Sequence, residues 1–174
     1  MEYIISQILG AVGCVFVFAS MQTKKIQNTL ICQIFCNGLG MLSYVLTDGF
    51  SGMGIYLIAT LQSVVFFILR IKNKQEPKWI YPIIFAAYIG CSALTFEGVR
   101  DIVPMAAALM CALALIQKKP TYYRIIILLN GALWIIYDIF LKNYTMLISH
   151  IITVASAVIG IIRMDILRKN KENL

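Results

Sequence analysis

ILLNGALWIIYDI, residues 127–139, sets an asparagine and a glycine inside a run of large apolar side chains. Asn-Gly between hydrophobic runs is, in a soluble chain, a strong hairpin signal. The pattern stands once before, in IFCNGLGMLSYVL at residues 34–46, where Asn37, Gly38 and Tyr44 each precede Asn130, Gly131 and Tyr137 by 93 positions. Whether these dipeptides are turns between strands or a polar face on a buried helix decides the fold, and their surroundings settle it.

Those surroundings are apolar almost throughout. The chain of 174 residues is 60% hydrophobic and 13% charged, with a mean hydropathy of +0.83, where a soluble domain carries about a quarter charged residues. A membrane-spanning helix needs about 20 largely apolar residues. Seven such stretches are predicted, at 3–21, 29–47, 53–71, 79–96, 101–117, 122–141 and 145–167. So little remains for loops that no separate soluble domain fits. The first stretch follows Met1-Glu2-Tyr3 without a basic n-region, so it is expected to be a retained helix rather than a signal peptide.

Charge supports an odd helix count. Lys24 and Lys25 follow helix 1; Arg70, Lys72, Lys74 and Lys78 follow helix 3; Lys118, Lys119 and Arg124 follow helix 5; Arg163, Arg168, Lys169 and Lys171 close helix 7. Arg100 and Lys142 fall on the opposite side. By the positive-inside rule the N-terminus is expected outside and the C-terminus in the cytoplasm. The net charge of +7 then reports orientation and contact with lipid headgroups rather than nucleic-acid binding. Cys14, Cys32, Cys36, Cys91 and Cys111 all lie in predicted spans as packing residues. With one histidine, no C-x-x-C pair and no clustered carboxylates, neither a metal site, a disulfide framework nor a cofactor site is indicated.

Sliding the sequence by 93 residues aligns 37–70 with 130–163 and gives eleven identities in 34 positions, including Thr60/Thr153, Ser63/Ser156 and Arg70/Arg163. Paired Asn-Gly, Tyr, Thr, Ser and Arg at one constant offset indicate a duplication. The expected fold is therefore an all-α membrane protein of 3+1+3 organisation. A first three-helix bundle spans 1–72, a linker with helix 4 spans 73–98, and a second bundle spans 99–174. Helix 4 restores the orientation, so the two bundles run parallel, related by an axis along the membrane normal.

The opening dipeptides are then helical, because a turn at mid-membrane depth would leave backbone groups unsatisfied in hydrocarbon. Each neighbouring glycine is expected to admit another helix closely. Helical spacing places Gln33, Asn37, Met41 and Tyr44 on one face and Ile126, Asn130, Trp134 and Tyr137 on its copy. Helix 3 carries Gly52, Tyr56, Thr60 and Ser63, and helix 7 carries Thr145, Ser149, Thr153 and Ser156 at similar spacing. Such stripes avoid lipid, either as helix glue, at about 0.6 kcal/mol per interhelical hydrogen bond, or as the lining of a solute path. Asn37 and Asn130 can grip a polar solute with two donors and an acceptor each, and Tyr44, Tyr137 and Trp134 can supply aromatic walls or interfacial anchors. Asp138 is expected to pair with Lys142 four residues on. His150, matched by Leu57 in the first copy, is a candidate proton sensor together with Asp138, or an interfacial residue.

VPMAAALMCALAL stands in helix 5, WIIYDIF in helix 6, YTM at 144–146 and IIRM at 161–164. In these pieces and their spacing the chain resembles the YgjV family of small bacterial inner-membrane proteins. That family is similar to the SWEET, semiSWEET, PQ-loop and PnuC-like transporters, in which two three-helix bundles enclose a central pathway. The resemblance implies a multi-pass solute carrier of the bacterial inner membrane. The Pro-Gln pair is missing: Met21 and Ile116 precede Gln22 and Gln117. Pro104 near the start of helix 5 is the candidate hinge, with Gly10 and Gly13 in helix 1 as alternative bending points.

The expected function is movement of a small polar or amphipathic solute, sugar-like or vitamin-like, between the two bundles. Its partners are that solute and membrane lipids, with assembly into a homo-oligomer left open. Facilitated diffusion is favoured because no strong acidic site for a coupling ion is visible. The competing expectation is a receptor or assembly factor with a close-packed centre. An intramembrane enzyme has too few acid-base or metal candidates.

Overall fold

The computed structural model describes residues 1–22, 26–74, 77–115 and 120–162. Within them lie seven α-helices and one short 3-10 turn, with no strand among the described residues. The helices are α1 (Glu2–Gln22), α2 (Ile26–Val45), α3 (Phe50–Ile71), α4 (Ile80–Leu94), α5 (Ile102–Leu115), α6 (Pro120–Leu141) and α7 (Tyr144–Gly160). The turn, Val99–Asp101, leads into α5. Both Asn-Gly dipeptides are helical. Lys24, Lys25, Lys118, Lys119 and every basic residue from Arg163 onward lie outside the described residues, as do the side chains of Arg124 and Ser156.

Three junctions end their helices in the same way. Asp48, Asn73 and Lys142 take left-handed φ values of 55°, 51° and 55°. The next N–H then reaches back five residues: Gly49 to the Tyr44 carbonyl at 2.8 Å, Lys74 to Leu69 at 2.9 Å and Asn143 to Asp138 at 3.0 Å. These bonds satisfy carbonyls that a helix C-terminus leaves open. Asp and Asn tolerate this conformation; Lys142 does so against its preference. Asn143 then caps α7, its side chain accepting from Met146 N.

Packing runs in sequence order within each group of three helices. α2 lies between α1 and α3, α6 lies between α5 and α7, and the groups meet through α1 against α7 and α3 against α5. α4 packs on α3 and α5. Hydrogen bonds fix which helix ends adjoin. Tyr3 Oη donates to the Lys142 carbonyl at 3.2 Å, Ser6 Oγ to the Ser43 carbonyl at 3.0 Å, and Ser51 Oγ to the Thr95 carbonyl at 2.7 Å. The starts of α1 and α3 therefore share one end of the bundle with the ends of α2, α4 and α6.

Polarity is distributed inside-out. Buried positions include Ser6, Ser43, Ser63, Asp138, Asn143, Ser149 and His150, whereas Ile4, Ile8, Val15 and Phe18 on α1 and Ile125, Leu129, Ile136 and Phe140 on α6 face outward. Contiguous apolar surface of this kind is rare on soluble monomers and suits hydrocarbon. Two helices, Glu2–Ser20 and Phe50–Ile71, are long and apolar enough to cross a bilayer by length and composition, while Ile80–Leu94, Ile125–Leu141 and Tyr144–Ile159 are shorter apolar helices. At 1.5 Å per residue, the 15 residues of α4 reach about 22 Å, short of the roughly 30 Å hydrocarbon core.

Glycines admit neighbouring elements at selected points. A Cβ on Gly10 would run into the Thr145 side chain of α7, so Gly10 is a point of close α1–α7 approach within an unbroken helix. Gly13 has only ordinary contact distances, 3.9 Å, to α2. At Gly131 a Cβ would lie 2.6 Å from Val154 of α7, the close approach expected of it; Gly38 has nothing within 4 Å and admits no neighbour. Pro104 is buried in the first turn of α5, where proline is tolerated without bending the helix.

Candidate functional site

Where the two groups of helices meet, four side chains form a hydrogen-bonded chain. Tyr44 Oη on α2 donates to Asp138 Oδ1 on α6 at 2.6 Å. The other carboxylate oxygen lies 2.6 Å from His150 Nδ1 on α7. His150 Nε2 lies 2.9 Å from Tyr56 Oη on α3. With Nδ1–H donated to the carboxylate, Nε2 is free to accept from the Tyr56 hydroxyl. Asp138 and Tyr44 are 0% exposed and His150 is 8% exposed.

Aromatic rings enclose this chain. Trp134 stacks on the His150 ring at 5.4 Å with an interplanar angle of 15°, and meets Tyr56 edge-on at 5.3 Å. Tyr44 and Tyr137 lie 5.8 Å apart, and Tyr137 Oη accepts from Gly52 N at 3.3 Å. Gly52 is required here, since a Cβ would lie 2.9 Å from Tyr137 and 3.1 Å from Tyr44. Beyond the rings, toward the α1 start, Ser6 and Ser43 hydroxyls lie 2.9 Å apart, and Asn143 Nδ2 donates to Ser43 Oγ at 3.0 Å. Together these layers close the bundle at that end.

On the other side of the rings lies a cavity of about 340 Å3. Tyr56, His150 and Met146 line its inner end, Asn37, Cys36, Ser149 and Thr153 its walls, and Ser20, Val17 and Gln33 the part toward the opposite ends of α1 and α2. Gln33 is exposed, so the cavity reaches the surface there. Its size is at the lower limit of ligand pockets, about 300–1,000 Å3. A second, shallow depression of about 530 Å3 lies beyond the closing layer, lined by Met1, Glu2, Tyr3, Thr47, Asp48 and Lys142 among others.

Several expected roles change in the folded chain. Asp138 does not pair with Lys142; its carboxylate turns inward to Tyr44 and His150, because the left-handed Lys142 has already left the helix and Asp138 itself faces the centre. His150 is not interfacial but buried. The two asparagines part company: Asn37 lines the cavity, whereas Asn130 Nδ2 donates to the Ala107 carbonyl of α5 at 2.5 Å. Thr60, Ser63 and Thr153 bond to carbonyls of their own helices four residues earlier, at 2.7, 2.8 and 3.0 Å. Of these, Thr153 also lines the cavity. Tyr44, Tyr137 and Trp134 do come together, as the closing layer rather than the cavity wall. Tyr56, on the polar stripe of helix 3, proves to be the partner of His150, and the Ser6–Ser43–Asn143 group is new, since lone serines in apolar helices give no signal of it. Among the described residues no three His, Cys, Asp or Glu side chains are grouped so as to hold a metal ion.

The helices, their outward apolar faces and their buried polar centre define an integral membrane protein. The model of a family described as bacterial inner membrane protein, Imp-YgjV, matches residues 4–168, and the chain belongs to that family. Neither the curated proteins nor the solved structures gave a match.

Proposed function

We propose that the protein is a carrier that binds a small, neutral, hydrogen-bonding solute in the cavity beside Asn37 and passes it between the two groups of helices. The observation that carries this reading is the cavity itself: lined by both polar and apolar groups, of ligand size, open at Gln33 and ended by the aromatic layer around Asp138 and His150. A close-packed receptor or scaffold has no need of it. Among the described residues the lining holds amides, hydroxyls, one imidazole, one thiol and the apolar Val17 and Met146, with no lysine, arginine or carboxylate, which favours uncharged solutes of sugar or vitamin type. Solute access alternates when the layer opens and the Gln33 end closes.

The 3+1+3 organisation belongs to this reading. Exchanging the triplets maps α1 onto α5 and α3 onto α7, so the observed contacts α1 with α7 and α3 with α5 turn into one another, as a two-fold axis would require. Tyr44 and Tyr137, equivalent in the sequence repeat, meet at the centre. The α2–α3 and α6–α7 junctions match at an offset of 94, Asp48 with Lys142, one residue beyond the sequence register. One residue turns a helix by about 100°. The counterpart of His150 in α3 thus becomes Tyr56, its actual hydrogen-bond partner 94 positions away, in place of the outward Leu57. Seven crossings with the N-terminus outside, and kinship to the SWEET-type carriers, complete the proposal. Assembly of several copies is not required by it.

The test is a thermal-shift screen of the purified protein against neutral sugars, nucleosides, vitamins and amino acids, followed by uptake into proteoliposomes. A stabilising solute whose uptake is lost in Asn37→Leu but retained in Asn130→Leu supports the reading. Uptake indifferent to Asn37→Leu removes the site.

A further inference from the structure

Facilitated diffusion is the expectation where no strong acidic site is visible, yet Asp138 is fully buried. A carboxylate inside a membrane protein is costly unless it is paired and hydrogen-bonded. Among the described residues no lysine or arginine pairs with it; its one ion-pair partner is His150. His150 in turn lines the cavity, so it stands between a buried anion and a path from one end of the bundle.

We propose that His150 and Asp138 form a proton-binding site loaded through the cavity, and that this proton is the ion coupled to solute movement. Its use in coupling rests on the carrier reading above; its existence does not. A proton from cavity water binds the imidazole at Nε2, Nδ1–H stays on Asp138 Oδ2, and the pair passes from a net charge of −1 to 0. Nε2 changes from acceptor to donor, so the Tyr56 hydroxyl, now an acceptor, turns its own proton toward the cavity. In the neutral pair the ring holds α6 and α7 together beneath the closing layer. Loss of the proton leaves a single negative charge in the interior, which favours rearrangement of that layer.

The titratable groups around the ring come from every helix packed there. Among the described residues they are Cys14 on α1, whose Sγ contacts Ser149, Cys36 and Tyr44 on α2, Tyr56 on α3, and Tyr137 and Asp138 on α6. Asp138 is the carboxylate in contact with the ring, and histidine is the side chain whose charge ordinarily changes near neutral pH.

The molecule carries its own reporter. Trp134 stacks on the His150 ring, and a cation on an indole face perturbs its excited state. The chain has two tryptophans and one histidine, and Trp79 is 65% exposed, so Trp79→Phe leaves Trp134 as the sole emitter beside the sole imidazole. In proteoliposomes of this variant, emission is expected to fall as the pH is lowered stepwise. Acidifying only the compartment facing the Gln33 end should produce the fall, and acidifying the other should not. His150→Gln in the same background should abolish the response, and Asp138→Asn should displace it along the pH axis. Emission flat with pH, unchanged by His150→Gln, or responding equally to acid on both sides would overturn the proposal. A sided response without any stabilising solute would sink the carrier reading and leave the proton site. Solute uptake with flat emission would do the reverse.

Discussion

Replacing His150 with alanine leaves the Asp138 carboxylate buried with Tyr44 Oη as its one remaining side-chain donor among the described residues. Removing one partner of a buried ion pair costs about 3–5 kcal/mol. An ordinary interhelical hydrogen bond in a membrane averages only about 0.6 kcal/mol and reaches about 1.7 kcal/mol. The two magnitudes separate a charge pair from simple glue. His150→Ala is therefore expected to destabilise by more than about 3 kcal/mol, measured by reversible unfolding in bicelles. Asp138→Ala removes the anion itself and leaves a neutral ring with an unpaired N–H, for about 1–3 kcal/mol. The double variant loses both partners together and should cost less than the sum by about 2–3 kcal/mol, since directly bonded residues do not add. Additivity within about 0.5 kcal/mol, or a loss below about 1 kcal/mol in His150→Ala, would refute the pair as a charged element joining α6 to α7.

Three further outcomes follow from the packing. Gly10→Val drives two methyl groups into Thr145 and should lower stability by about 1–3 kcal/mol as an overpacked contact, while Gly38→Ala, with open space around it, should raise or leave the melting temperature unchanged. Asn130→Leu gives up the bond to the Ala107 carbonyl and should cost about 0.6–1.7 kcal/mol in the same unfolding assay. Lys142→Asn relieves a left-handed lysine and should stabilise the α6–α7 junction by up to about 1 kcal/mol, read as a higher melting temperature.

Much of the helical framework was legible in the chain. The seven predicted stretches fall on the seven helices, and the choice of helix over hairpin at Asn37 and Asn130 follows from the cost of unsatisfied backbone in hydrocarbon. Tyr44, Tyr137 and Trp134 were marked by their register on α2 and α6, and they meet. Partner choice was less legible. Asp138 has a lysine four residues on and a histidine twelve residues on, and local spacing favours the lysine. Only the left-handed exit at Lys142 and the return of α7 beside α6 bring His150 to the carboxylate. Asn37 and Asn130 look alike in sequence, but α5 supplies a carbonyl to one, and the cavity borders the other. The single-residue shift between sequence repeat and junction geometry hid Tyr56 behind Leu57, because a helix converts that shift into a change of face.

The central claim is that a water-filled path reaches the middle of the bundle from one side and stops at the rings. Asn37→Cys, in a chain whose five native cysteines are replaced by alanine, tests it with a membrane-impermeant maleimide applied to right-side-out and to inverted vesicles. The expected result is labelling of Asn37→Cys from the side of the Gln33 end alone, slowed by the solute found in the screen, with Asp48→Cys labelled from the opposite side. Labelling of Asn37→Cys from neither side would contradict the cavity, and labelling from both sides at once would contradict its closure by Tyr44, Tyr137 and Asp138.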